Sequence, residues 1–194
     1  TTLKKRIYSD GKQVARLDRE VLIESTHSLQ DINDYDVCIL SDYNKGVIKN
    51  AKLDADIIIV DPKKDNFSVY KNANIITPNL NELQQVTSIE IRDDQSLVEA
   101  CKKLIQEFNF NYIVAKKGNK GITIVGKDKF IKHIQAKNVK NPDVTGAGDT
   151  VIAVLSVIYA KTKDIELSAT IANSAAGIVV GKSGTATFNI NDLK

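Results

Sequence analysis

Methionine and tryptophan are absent from the 194 residues, and cysteine and proline are scarce, with two and three copies. Two cysteines do not make the dense disulfide framework of a small secreted domain. Cys38 stands in the apolar run Val37-Cys38-Ile39-Leu40, and Cys101 lies on the apolar face of a helical pattern. Both read as buried thiols in a reducing compartment, the cytoplasm. His27 and His133 show no metal-ligand spacing. Charge of one sign is also scarce: 27 Lys and Arg against 24 Asp and Glu leave a net +3, with no basic tail. Nucleic acid is therefore not an implied partner. No apolar run approaches the roughly 20 residues that span a bilayer. The start, Thr1-Thr2-Leu3-Lys4-Lys5, lacks the apolar stretch of a signal peptide. The missing Met, at position 1 included, reads as an incomplete reading frame.

What is present is ordinary for one globular domain: 42% hydrophobic and 26% charged residues, enough chain for a sizeable core. Arg6-Ile7-Tyr8-Ser9 and Gln13-Val14-Ala15-Arg16-Leu17 flank Asp10-Gly11, a hairpin signal. Val37-Cys38-Ile39-Leu40 and Ile57-Ile58-Ile59-Val60 are dense apolar runs, suited to strands buried on both faces of a parallel sheet. Asp42 and Asp61 follow them closely, where open parallel sheets bind ligands. Asn74-Ile75-Ile76-Thr77 is a third short strand, and a helix starts near Asn79. Leu97, Ala100, Cys101, Leu104, Ile105 and Phe108 mark one face of a further helix, capped by Asp93 or Asp94. Tyr112-Ile113-Val114-Ala115 is a buried strand, and a second hairpin turns through Gly126-Lys127-Asp128. Residues 150–160 form a nearly all-apolar helix, which predicts burial, and residues 167–180 form another. Alternating strands and helices predict a layered α/β domain.

The sharpest chemical signal is Asp143-Val144-Thr145-Gly146-Ala147-Gly148-Asp149-Thr150, directly before a helix. Glycines let a backbone approach a ligand closely, and the unpaired N–H groups of a first helical turn favour an anion. That suits charge developing on a transferring phosphoryl group, with Asp149 placed to accept a proton from an attacking hydroxyl. The plainer reading is that an acid in a first turn stabilises the helix by about 0.3–1 kcal/mol. Likewise Asn79 and Glu82 are spaced as an N-cap and its third helical residue.

The 143–150 segment resembles the signature of the ribokinase (PfkB) family of sugar kinases, and Thr77-Pro78-Asn79-Leu80-Asn81-Glu82 resembles that family's Asn-x-x-Glu motif. The stretches Leu40-Ser41-Asp42-Tyr43-Asn44-Lys45-Gly46, Val60-Asp61-Pro62-Lys63 and Val179-Val180-Gly181-Lys182-Ser183-Gly184-Thr185, with Arg16-Leu17-Asp18-Arg19-Glu20, look like the kinase domain of bifunctional heptose-7-phosphate kinase/heptose-1-phosphate adenylyltransferases. The resemblance implies a ribokinase-like fold, with a mostly parallel central sheet, helices on both faces and its N-terminal part missing. Residues 1–194 would then be a partial PfkB-type kinase domain. It implies transfer of the ATP γ-phosphoryl group to the anomeric hydroxyl of a heptose 7-phosphate, with Asp149 as base and Gly146, Ala147 and Gly148 as anion hole. Asn79, Leu80, Asn81 and Glu82 fall on the ATP-contacting segment, Asn79 and Glu82 acting on magnesium indirectly. Asn173 resembles a residue near the adenine pocket, or is a helix-surface Asn. Asp143 and Thr145 resemble a loop that binds a monovalent cation, K+. A homodimer is implied for the complete protein.

Other positions stay open. Lys45 meets the sugar phosphate or is a solvated loop lysine, and Asp42 beside it is a further substrate candidate. Lys116 and Lys117 follow the strand at Ala115, where the family more often has Thr; a lysine there is a point charge for phosphate or a mark of altered activity. The sequence between Asp42 and Asp56 is short for a parallel crossover. A kinase for another sugar or nucleoside, and a nucleotide-binding module without catalysis, remain as readings.

Overall fold

The computed structural model describes residues 3–9, 12–20, 35–45, 48, 55–63 and 67–193. Two strands, β1 (Leu3–Ser9) and β2 (Lys12–Arg19), pair antiparallel as a separate two-stranded sheet. The expected turn at Asp10-Gly11 falls outside the described residues, as does the 49–54 connection. The main sheet has six strands in sequence order: β3 (Cys38–Ser41), β4 (Ile58–Asp61), β5 (Ile75–Ile76), β6 (Tyr112–Lys116), β7 (Ile122–Gly126) and β8 (Ile131–Ile134). The first four run parallel, despite the short connection after Asp42, and β7 and β8 return antiparallel.

Alternation along the strands builds two cores. Ile58 and Val60 face one, Ile57 and Ile59 the other. On the first face pack α1 (Leu80–Thr87) and α2 (Asp94–Phe108), whose six predicted apolar positions are all buried. On the second face Val151, Ile152 and Leu155 of α3 (Ala147–Thr162) pack with Ile165, Ala169 and Ala172 of α4 (Ile165–Val179). The expected burial of the whole apolar helix is corrected here. α3 is an outer layer with one face on the sheet, so Val157 is 61% exposed. Cys101 is buried and Cys38 half-buried, and both are free thiols. No helix among the described residues is long and apolar enough to cross a membrane.

Candidate active site

The carboxyl ends of β3 to β6 and the N-terminus of α3 bring the chemistry to one edge. Asp61 closes β4, and its Oδ1 accepts a 3.2 Å hydrogen bond from the Thr77 hydroxyl. The Lys116 ammonium, from the end of β6, forms an ion pair with the same carboxylate. Lys116 is held from below by a bridge to Asn79 and by its own N–H donating to the Pro78 carbonyl at 2.8 Å. Asn79 caps α1 as the spacing predicts. Its Oδ1 accepts from Glu82 N–H at 2.9 Å, and Glu82 Oε2 accepts from Asn79 N–H at 2.8 Å. The other carboxylate oxygen, Oε1, takes the Lys63 ammonium at 3.2 Å. The capping and ligand-binding readings of this motif therefore use different oxygens of one carboxylate.

At α3, Gly146 is the N-cap residue with φ 78°, a left-handed conformation that favours glycine. Its carbonyl accepts both the N–H and the hydroxyl of Thr150 at 2.9 Å. Ala147 N–H closes a turn onto Val144 O at 3.2 Å. Of the three expected anion-binding donors, the Ala147 N–H is thus spent on the turn. A Cβ on Gly148 would sit 3.6 Å from Lys116 Nζ, so the bare backbone of this turn faces an ammonium. Asp149 lies one residue further on, in the first turn. Its Oδ1 accepts a 3.3 Å hydrogen bond from the Tyr43 hydroxyl. Partial burial, and then the Asp149 charge, push the Tyr43 phenol up.

A third contact group joins the loops around α3 and α4. Asp143 Oδ1 accepts from Thr145 N–H at 3.0 Å and Oδ2 from Gly184 N–H at 2.7 Å. The bond to the Thr145 side chain, followed by that from the Gly184 N–H, holds its carboxyl below the usual range. Asn173 is buried rather than on the helix surface, and its Nδ2 donates to Gln135 O at 2.8 Å. A cavity of about 510 Å³ opens between Leu80, Lys117, Asn119, Lys120 and Gln135, towards the N-terminus of α2.

Some expected positions do not join the site. Asp42 is 4% exposed, accepting from the Tyr70 hydroxyl at 2.6 Å and from Asn44 N–H at 2.7 Å. It fixes the turn after β3, and its two oxygens are taken up by these donors. Lys45 is ion-paired with Glu20. Leu80 is half-buried and Asn81 exposed on the first turn of α1. Sequence reasoning missed Tyr43 and Lys63, and noticed Asp61 only as a strand end. The signal available for all three was position beyond a parallel strand's carboxyl end.

The family model described as pfkB family carbohydrate kinase matches residues 41–192. The chain belongs to this family. Bifunctional protein HldE of Shewanella loihica is 37% identical over 207 aligned residues, which cover all of this chain and 43% of that protein. Its counterpart in Desulfatibacillum aliphaticivorans is 39% identical over 214, again covering all of this chain and 43% of the relative. The chain thus spans less than half the length of these curated relatives. Ribokinase from Thermotoga maritima superimposes with a TM-score of 0.81 at 20% identity, covering all of this chain and 68% of that one. Phosphofructokinase-2 from Escherichia coli in complex with potassium gives 0.64 at 19% identity over 71% of this chain and 45% of that one. The fold is ribokinase-like.

Proposed function

We propose that this chain forms the ATP-binding and phosphoryl-transfer part of a kinase for D-glycero-β-D-manno-heptose 7-phosphate, phosphorylating its anomeric hydroxyl for lipopolysaccharide core synthesis. One observation carries the reading. The first turn of α3 has a carboxylate, Asp149, beside a bare backbone that faces the Lys116 ammonium. Base and cation therefore flank one helix N-terminus, the arrangement in-line phosphoryl transfer needs.

In this reading Lys116 and the Gly146 and Gly148 backbone hold the γ-phosphoryl oxygens as their charge rises. Asp149 accepts the proton of the anomeric hydroxyl while its oxygen bonds to the γ-phosphorus. The bond from phosphorus to the bridging oxygen breaks, and ADP leaves. The oxygen donors of Asn79 and Glu82 fit magnesium held through its waters, and Glu82 Oε1 already attracts a cation, the Lys63 ammonium. Bound there, magnesium neutralises charge on the nucleotide phosphates. The Asp143 and Thr145 oxygens suit K+, the ion held in the potassium complex of phosphofructokinase-2 from Escherichia coli. Asn173 and Gln135 would shape the base end of the nucleotide site. The reaction would run in the cytoplasm, with the complete protein a homodimer.

The test is ATP consumption by the complete protein with heptose 7-phosphate, ribose and fructose 6-phosphate as separate acceptors. Turnover of about 1 s⁻¹ or above, stimulated most by the heptose, is the expected result. Faster turnover on either other sugar overturns the substrate. ATP binding without stimulation by any acceptor overturns catalysis.

A further inference from the structure

The turn after β3 combines a locked backbone with an exposed side chain. Asp42 is buried and holds Asn44 N–H and the Tyr70 hydroxyl, so the peptide around residue 43 is fixed from both sides. Asn44 completes the turn in the left-handed region, φ 54°. From this fixed base the Tyr43 ring, 48% exposed, reaches across to α3, 106 residues later in sequence, and its hydroxyl donates to Asp149 Oδ1. A phenol there stands where a hydroxyl must stand to give its proton to the base. Water is such a hydroxyl compound, and in an open site it is present at far higher concentration than any sugar.

We infer that Tyr43 is a positioning residue that caps Asp149 against water, keeping the base engaged until an acceptor hydroxyl displaces the phenol. The inference rests on the reading of Asp149 as the base. The reaction it suppresses is hydrolysis. A water oxygen would bond to the γ-phosphorus, the bond to the bridging oxygen would break, and the water proton would pass to Asp149. ADP and inorganic phosphate would leave. A 3.3 Å hydrogen bond from a neutral phenol to the Asp149 carboxylate is strong enough to hold the base against solvent and long enough for an oriented sugar hydroxyl to replace it. The exposure of the ring leaves it room to swing aside, whereas a buried tyrosine such as Tyr70 has none. Asp42 enters this device through Tyr43: it places the turn from which the phenol reaches the base.

The experiment compares ATP hydrolysis without any sugar in the parent, Tyr43→Phe, and Tyr43→Phe combined with Asp149→Asn, with ATP binding measured calorimetrically for each. Tyr43→Phe is expected to raise hydrolysis about 10–100-fold, the scale of losing one hydrogen bond to a charged group. Adding Asp149→Asn should return it to the parent level or below. A structural defect would lower activity and would not create an Asp149-dependent gain. Unchanged or reduced hydrolysis with ATP still bound overturns the capping role and leaves the kinase reading intact. A rise that survives Asp149→Asn also overturns it. No ATP binding in any of the three removes the kinase reading itself, and this inference with it.

Discussion

The two sheets of this chain follow opposite rules. In β4 to β6 successive residues point into two separate cores, and Ile59, Val60, Ile75 and Ile76 are completely covered. In β1 and β2 the large apolar residues Leu3, Ile7, Tyr8, Val14 and Leu17 stay between 40% and 61% exposed. Tyr43, Lys116, Asp149 and the Asn79–Glu82 cap hang on the buried sheet or on helices pressed against it. Among the described residues at the end of the outer hairpin, Glu20 reaches toward this edge, through Lys45. Groups that must meet at tenths of an ångström are carried by the part of the fold whose backbone is over-determined, and the hairpin is left free of that duty.

If the comparison holds, the largest effects belong to the buried sheet's edge. Asp149→Asn should keep ATP binding and lose about 10²–10⁴-fold in sugar-dependent turnover, since Asn accepts no proton. Calorimetric ATP binding together with a steady-state assay checks both halves of that statement. Turnover within a few-fold of the parent would take the base role from Asp149.

The next effect is on stability alone. Gly121 has φ 87°, and a Cβ there would collide with the Ile134 carbonyl oxygen and sit 2.6 Å from Ala136 N. Both neighbours are backbone and neither can swing away. Gly121→Ala should cost about 3 kcal/mol, from strain plus the shift it forces. For a chain of this length that lowers Tm by roughly 6–12 °C. A drop under about 2 °C would show that the 118–121 loop moves freely and is not part of the rigid edge.

Legibility from sequence divides along the same boundary. The apolar face of α2 was readable residue by residue, because helical spacing and burial coincide there. The strands β3 and β4 lie one residue further along than their apolar runs, since pairing extends to Ser41 and Asp61 beyond the hydrophobic stretch. The Gly-Ala-Gly-Asp turn was legible because glycine before a helix has a chemical reason. What escaped was long-range. Nothing local says that Tyr43 reaches Asp149, that Lys116 pairs with Asp61 across 55 positions, or that Asp42 is consumed by Tyr70. Those contacts depend on which strands neighbour one another, and a single sequence does not state that.

A smaller effect tests the division of labour inside Glu82. Gln at this position still accepts the cap hydrogen bond, so α1 should survive. It loses the charge that holds the Lys63 ammonium and, in the proposed function, magnesium. Glu82→Gln should raise the magnesium concentration for half-maximal turnover about 10-fold, with Tm changed by less than about 4 °C because the Lys63 ammonium left behind is open to solvent. An unchanged magnesium titration would leave Glu82 with its capping role alone.

The smallest effect is expected from removing the outer hairpin altogether. Deleting residues 1–20 takes away β1 and β2, whose apolar side chains remain largely exposed and so return little hydrophobic free energy. It also removes the Arg16–Asp18 pair at 2.6 Å, which lies within β2, and the Lys45–Glu20 pair. Exposed pairs of this kind contribute about 0–1 kcal/mol each. The six-stranded sheet keeps all its pairings, because none involves β1 or β2. The deletion should therefore lower Tm by less than about 4 °C, at roughly 2–4 °C per kcal/mol for a chain of this size, and should leave ATP binding in place. Thermal unfolding of the shortened chain beside the parent decides the point. A drop of 10 °C or more would mean that the hairpin packs on the sheet in solution, and the contrast between a committed half and a free one would be lost.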